Sequence, residues 1–419
     1  MQVYKFGGAS VKDAAALKNL YDILQPRLQL NKVIVVSAMG KTTNALEAVL
    51  AKKLGQANFS NEWKQIRDYH LGVCEELFPT SHPVVEKIEQ LMDTAQPILD
   101  LPISKSNYDE VYDQLICYGE LLSSLVVSEY LIFKGLSLSW QDARAVIHTD
   151  SDFRFAKIDW GKTRSACQSQ WAGLLEHKTI LTQGFIGKDP LGRTTTLGRE
   201  GSDFTAAILA SSLDAESVTI WKDVPGVLNA DPKLFPNTQK FEELRYREAA
   251  EMTYFGASVI HPKTIKPLAN AGIPLFVKSF LDPEASGTKI HEHAAAHEVP
   301  TLVLKKSQVL VSFKVTDFTF IEEKHIHAIY EKLKELKLRA NMLQLSAITV
   351  SLVVDTQLFK LEQLVENLKS TFEIRYNEEL ELLTILKPRA EDIPALMEGY
   401  EVLLEQTTRT SYQAVRRKK

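Results

Sequence analysis

Over the first 290 or so residues, short runs rich in β-branched side chains alternate with longer segments whose apolar positions recur at helical spacing. Strands are expected at 3–6, 32–36, 179–181, 218–221 and 275–277, and helices at 12–24, 109–133, 203–212, 247–255 and 262–271. This alternation is that of a sheet covered by helices on both faces, an α/β fold. Residues 51–101 are charged and helical in period, carry no identifiable chemistry, and are read as a helical lobe. The turn-rich stretch 281–287 closes the pattern. From Gln308 the texture changes to strand (309–315), helix (322–336), strands (340–345 and 349–354), helix (360–370) and strand (373–375). That order is βαββαβ, and a shorter β, α, β, β series follows at 380–386, 393–396, 401–405 and 412–415. Three regions are therefore expected: 1–290, 300–376 and 377–419, the last too short to be a complete second unit.

Length and charge alter this picture little. A chain of 419 residues exceeds one ordinary core. A net charge of -4 argues against a general nucleic-acid or anionic-membrane binder, and the basic tail Arg416-Arg417-Lys418-Lys419 reads as a solvated end. Cys74, Cys117 and Cys167 are far apart and lack metal-ligand spacing, which suits a reducing compartment. The chain begins directly in an apolar strand without a signal-peptide pattern, and the apolar run 121–133 is interrupted and too short for a bilayer, so a cytoplasmic, soluble protein is expected.

Three loops carry the candidate chemistry. Lys5-Phe6-Gly7-Gly8-Ala9-Ser10 joins strand to helix, where glycines let backbone N–H groups approach a phosphate and Lys5 could set an ammonium group against it; alone, a Gly-Gly after a strand is more often just a turn. Ser37-Ala38-Met39-Gly40-Lys41-Thr42-Thr43 offers hydroxyls and backbone donors at the next strand end, without the spacing of a Walker A loop, and a polar turn capped by Thr reads equally well. Thr194-Thr195-Thr196-Leu197-Gly198-Arg199-Glu200-Gly201-Ser202-Asp203 runs into a helix; Ser202 and Asp203 sit where an N-cap belongs, while capping explains neither Arg199 nor the threonines. Lys222-Asp223-Val224-Pro225-Gly226, continued by Asp231-Pro232-Lys233, could grip a nucleotide through two lysines and a carboxylate. Glu120 lies beside Gly119 in an apolar helix and needs a cationic partner, either a substrate ammonium group or a neighbouring Arg.

Together and in this order the motifs resemble those of aspartate kinases of the amino-acid kinase family: KFGGxS at 5–10, VVSAMGKTT at 35–43, Gly119-Glu120, TTLGRxGSD at 195–203, DVPG at 223–226 with Asp231-Pro232, and FGAxVIHP at 255–262. The resemblance spans roughly the first 290 residues. It implies a three-layer αβα kinase domain that phosphorylates the β-carboxylate of L-aspartate, a first step towards lysine, threonine and methionine. Lys5 and Asp203 would be catalytic. Ser37, Thr43, Glu120, Arg199 and Ser202 would bind aspartate. Lys5, Gly7, Gly8, Ser10, Lys222, Asp223, Leu228, Lys233 and Ser258 would bind ATP. Its cofactors would be ATP and Mg²⁺ with no dedicated protein metal site, its partners small molecules rather than nucleic acid or membrane, and its assembly a homodimer.

Two positions depart from the family pattern: Ser258 stands where lysine is usual, with Lys263 nearby, and Ala9 stands for threonine. The βαββαβ region resembles an ACT domain, a module that binds feedback amino acids and makes dimer contacts. Its strand-to-helix turn, Thr316-Asp317-Phe318-Thr319-Phe320-Ile321-Glu322-Glu323, lacks glycine and is acidic, so weak or absent feedback inhibition is expected. The alternatives are a kinase for a related amino acid and a catalytically weak or silent regulatory paralogue. With the sequence ending at Lys419, a fused dehydrogenase is not expected.

Overall fold

The structure, a computed structural model, describes residues 1–28, 31–257, 259–317 and 319–419. They divide into two compact units, one formed by 1–227, 240–250 and 259–296, the other by 228–239, 251–258 and 297–419. Segments 228–239 and 251–258, from inside the range expected for the catalytic region, thus belong to the second unit.

The first unit is built on strands β1 (Gln2–Phe6), β2 (Lys32–Val36), β3 (Leu138–Gln141), β4 (Thr179–Gln183), a hairpin of β5 (Ile186–Lys188) and β6 (Thr194–Thr196), then β7 (Ser217–Lys222), β8 (Glu243–Leu244), β9 (Leu275–Ser279) and β10 (Thr288–Ile290). Eight of them form one sheet in the order β3-β4-β2-β1-β7-β9-β10-β8. From β3 to β9 every pairing is parallel; β10 runs antiparallel to β9. Every residue of β2 and β4 is buried, as strands covered on both faces require. The carboxyl ends of β1, β2 and β7 run side by side, so the loops that follow Phe6, Val36 and Lys222 come together.

The helices of this unit include Ala14–Leu24, Thr42–Leu54, Ser60–Leu77, Val84–Asp93, Tyr108–Phe133, Trp160–Gln170, Gly201–Ser212 and Pro262–Ala271. Helix Ala14–Leu24 begins at Asp13, whose carboxylate accepts from Ala16 N at 2.7 Å. The expected lobe at 51–101 is helical throughout most of its length. Helix Tyr108–Phe133 corrects one expectation: its 26 residues are long and apolar enough to cross a membrane. It is nevertheless mostly buried, packed on helices Thr42–Leu54, Ser60–Leu77 and Val84–Asp93 and on β3 and β4, as the central helix of a folded unit is.

The second unit holds one six-stranded sheet, β12-β13-β11-β14-β16-β15, made of β11 (Thr301–Val315), β12 (Ala340–Leu345), β13 (Thr349–Asp355), β14 (Phe372–Leu386), β15 (Tyr400–Thr407) and β16 (Ser411–Lys418). The strands and helices expected between 309 and 375 are all present. What the sequence reading lacked is that β11 and β14 are each 15 residues long. Residues 310–315 of β11 pair with 372–377, and residues 301–305 pair with 382–386, with irregular register around Gln308 between them. One long antiparallel ribbon therefore serves both halves, and β14 runs through the boundary expected at 376. Phe313 and Phe372 anchor the core beneath helices Glu323–Glu335 and Leu358–Leu368. The basic tail is exposed at Arg417, Lys418 and Lys419, as expected, but not at Arg416. Arg416 is 3 % exposed, lies 3.3 Å from Glu381, donates to the Leu396 carbonyl and sits 3.7 Å from the centre of the Tyr400 ring.

Candidate active site

At the carboxyl ends of β1, β2 and β7 lies a cavity of about 550 Å³. Its depth is set by close packing of the first two loops. A Cβ on Gly8 would stand 2.8 Å from the Ala38 carbonyl oxygen and 3.1 Å from that of Gly40, so only glycine lets these backbones touch. Gly40 N donates to Gly8 O at 3.2 Å across the junction.

Lys5, the penultimate residue of β1, is buried, and its Nζ lies 2.6 Å from Asp203 Oδ1. Lys222, the last residue of β7, places its Nζ 3.3 Å from Asp203 Oδ2 and also donates to the Val259 carbonyl. Burial alone would raise the Asp203 carboxyl; the two ammonium groups outweigh it and hold the group below the usual carboxylate range. Two cations share one buried anion, which leaves a net positive charge facing the cavity.

Glu120 is the opposite case. It is buried, accepts one hydrogen bond from Ala38 N at 3.3 Å, and its Oε2 has no partner among the described residues. Burial pushes its carboxyl up to about 8, opposed mainly by the Ala38 N–H. Among the described residues no arginine pairs with it, so of the two partners its position allowed the neighbouring Arg is not the one observed. Arg199 is exposed at the cavity wall and makes no ion pair among the described residues.

Ser37, Thr43 and Ser202 also line the cavity. Ser202 and Asp203 are not the helix cap, however. Glu200 is the N-cap, in a left-handed conformation (φ 54°), so Ser202 and Asp203 fall inside the first turn of helix Gly201–Ser212. There Asp203 complements the positive end of the helix. Glu200 also lines the cavity, with a buried Oε2 that has no hydrogen bond, and burial raises its carboxyl above the usual value.

The three threonines have a structural explanation. Thr194 Oγ1 accepts from Arg144 at 3.0 Å, Thr195 shares a 2.6 Å hydrogen bond with Thr149, and Thr196 donates through Oγ1 to Asp113 at 2.7 Å. Asp113, buried on helix Tyr108–Phe133, also accepts from Thr196 N at 2.8 Å and Arg154 N at 2.9 Å. It thereby ties the strand leading to Arg199 to the turn bearing Arg154 and Phe155.

Other expected residues lie elsewhere. Gly7 caps the short helix Gly8–Val11, and the Ser10 hydroxyl donates to the Gly7 carbonyl at 2.8 Å, away from the cavity wall. Asp223 is exposed after β7, and Leu228 and Lys233 belong to segment 228–239 of the second unit. Ser258 lies outside the described residues. Tyr112, Arg154, Phe155 and Phe185 line the cavity and were not found by sequence reasoning. Tyr112 shared a helix face with Glu120 at a spacing of eight residues, a signal that was available. Among the described residues no cluster of three His, Cys, Asp or Glu could hold a metal.

One cavity is thus lined by Lys5, Lys222, the unpartnered Glu120 carboxylate and Arg199. Residues 1–279 match the model of the amino acid kinase family, and the chain belongs to that family. The chain is similar to aspartokinases within it. Lysine-sensitive aspartokinase 3 of Escherichia coli (strain K12) is 33% identical over 356 residues, 84% of this chain and 78% of that protein. The solved structure of E. coli aspartokinase III with aspartate and ADP (R-state) superposes with a TM-score of 0.84 at 28% identity, covering 99% of this chain and 96% of that one. Its complex with lysine and aspartate (T-state) gives 0.80 at the same identity, covering 99% and 95%.

Proposed function

We propose that the chain transfers the γ-phosphoryl group of ATP to the β-carboxylate of L-aspartate, giving 4-phospho-L-aspartate, the first step towards lysine, threonine and methionine. The observation that carries this reading is the buried Glu120 carboxylate, whose free oxygen shares a cavity with unpaired Arg199 and with the Lys5–Asp203–Lys222 group. Glu120 would take the substrate ammonium group and Arg199 its α-carboxylate, with Ser37, Thr43 and Ser202 fixing orientation. Lys5 and the Gly7-Gly8 backbone would hold the transferring phosphoryl group, Ser10 by holding Gly7. Lys222, Asp223, Leu228 and Lys233 would serve the nucleotide.

The attacking carboxylate is already ionised at neutral pH, so no strong base is needed. The barrier lies in bringing two anions together, and positioning plus charge neutralisation lower it. Asp203, held below its ordinary range, is a poor base; it orients Lys5 and Lys222. Mg²⁺ accompanying ATP would be held by phosphate oxygens and water, with the orphaned Glu200 oxygen in the same cavity able to accept from its water ligands, and would supply further charge neutralisation.

Weak or absent feedback is proposed for the second unit. In the turn after β11, Thr319 N donates to Asp317, Ile321 N to the Ala347 carbonyl and Glu322 N to His325 Nδ1, so three backbone donors are already used. A homodimer formed through this unit and a cytoplasmic location complete the reading, the latter resting on three free, buried cysteines. The test is ADP release and hydroxamate formation with ATP, Mg²⁺ and L-aspartate. Aspartate-dependent turnover is expected; turnover with glutamate only, or none, overturns the reading. Lysine or threonine that inhibits strongly in the same assay overturns the regulatory part.

A further inference from the structure

A second cavity of about 540 Å³ lies in the first unit, between the turn 155–160 and helices Gly201–Ser212 and Pro262–Ala271. Its size is that of an ordinary small-molecule site. Its walls combine two features. Phe155, Trp160 and Phe204 supply aromatic surface, with the rings of Trp160 and Phe204 6.3 Å apart in an edge-to-face arrangement, and Phe155 and Trp160 are 48% and 44% exposed. Lys157, Lys263 and Lys266 supply three ammonium groups. Lys263 and Lys266 stand one turn apart on the same helix and have no ion pair among the described residues, while Lys157 reaches Asp150 and Asp152 only at 3.9 and 3.8 Å. Among the described residues no carboxylate lines the cavity. Lys263, near the position of Ser258 in the chain, thus faces this cavity and is not on the wall of the first.

We propose that this cavity is a second ligand site, taking a small planar organic anion whose ring lies against Trp160 and Phe204 and whose phosphate or carboxylate meets Lys263 and Lys266. The occupant acts on the first cavity through Phe155, which lines both. Gly198 (φ 77°) lies against that ring: a Cβ there would be 3.3 Å from Phe155 Cδ1 and 3.1 Å from the Arg154 carbonyl oxygen. A ligand that moves Phe155 therefore moves the backbone beside Arg199. The expected kinetic effect is on KM for aspartate rather than on kcat, and this coupling rests on the aspartate reading of the first cavity.

The test titrates the full chain with phenyl phosphate, with inorganic phosphate and benzyl alcohol as single-feature controls. Saturable binding with a change in tryptophan fluorescence is expected, the change being lost in Trp160→Phe. Binding should weaken about tenfold or more in Lys263→Ala/Lys266→Ala, and neither control should compete strongly. No saturable binding, or the same affinity in the double variant, overturns the site. Binding that leaves KM for aspartate unchanged overturns the coupling through Phe155. Because fluorescence reads binding without turnover, a failure of the kinase reading leaves the site itself testable.

Discussion

Replacing Glu120 by Gln keeps the side chain's shape and removes its ability to ionise. Glu120 is buried with one 3.3 Å hydrogen bond and one unpartnered oxygen. Its carboxyl is displaced from 4.5 to about 8, burial being the cause, and at about 1.4 kcal/mol per pKa unit this disfavours the ionised form by about 5 kcal/mol in the empty cavity. The folded state thus keeps a proton that the unfolded chain releases between 4.5 and about 8. Glu120 therefore makes stability fall as pH rises through that window. A substrate ammonium group reverses the preference. If the ionised form alone binds aspartate, KM for aspartate is about 50-fold higher at about pH 6 than at about pH 8. In Glu120→Gln, KM rises and loses this slope, KM for ATP is unchanged, and thermal melts show a smaller loss of stability towards alkaline pH. Steady-state ADP release at saturating ATP measures the first effect. A flat wild-type KM profile, or a slope retained in the amide variant, refutes the reasoning.

Lys5→Ala is expected to lower kcat about 10³-fold with KM values changed much less, because the lost charge matters most where negative charge builds up; an effect confined to KM would remove Lys5 from that role. Asp113→Ala leaves the Thr196 and Arg154 N–H groups without their acceptor and should cost about 2–5 kcal/mol in urea unfolding. A cost within about 0.5 kcal/mol would show that the strand before Arg199 is held by something else. Arg416→Ala should destabilise by about 2–4 kcal/mol, since it removes a buried side chain that pairs with half-buried Glu381 and donates to the Leu396 carbonyl, whereas exposed Lys418→Ala should stay within about 0.5 kcal/mol. Equal effects would mean that the contacts of Arg416 contribute nothing measurable.

The long elements were legible because their periodicity is local. Strands 32–36 and helix 262–271 were read with the bounds they have. Strands β3, β5, β6, β8 and β10 have two to four residues, too few for an alternating pattern to rise above chance. Helix Trp160–Gln170 escaped because it buries only Thr163, Ala166 and Cys167, a stripe without large apolar residues.

The sequence by itself determined the loops and the kinds of group they carry: Lys5 before two glycines, Glu120 in an apolar helix, Arg199 and Asp203 around a helix start. These follow from backbone rules that act over a few residues. Tertiary structure alone decided which charges are neutralised. Asp203 meets lysines from two separate strands, Glu120 meets none, and the long β11–β14 ribbon joins what read as separate regions. Burial and pairing belong to segments distant in the chain, and a sheet fixes them only when its strands take their order.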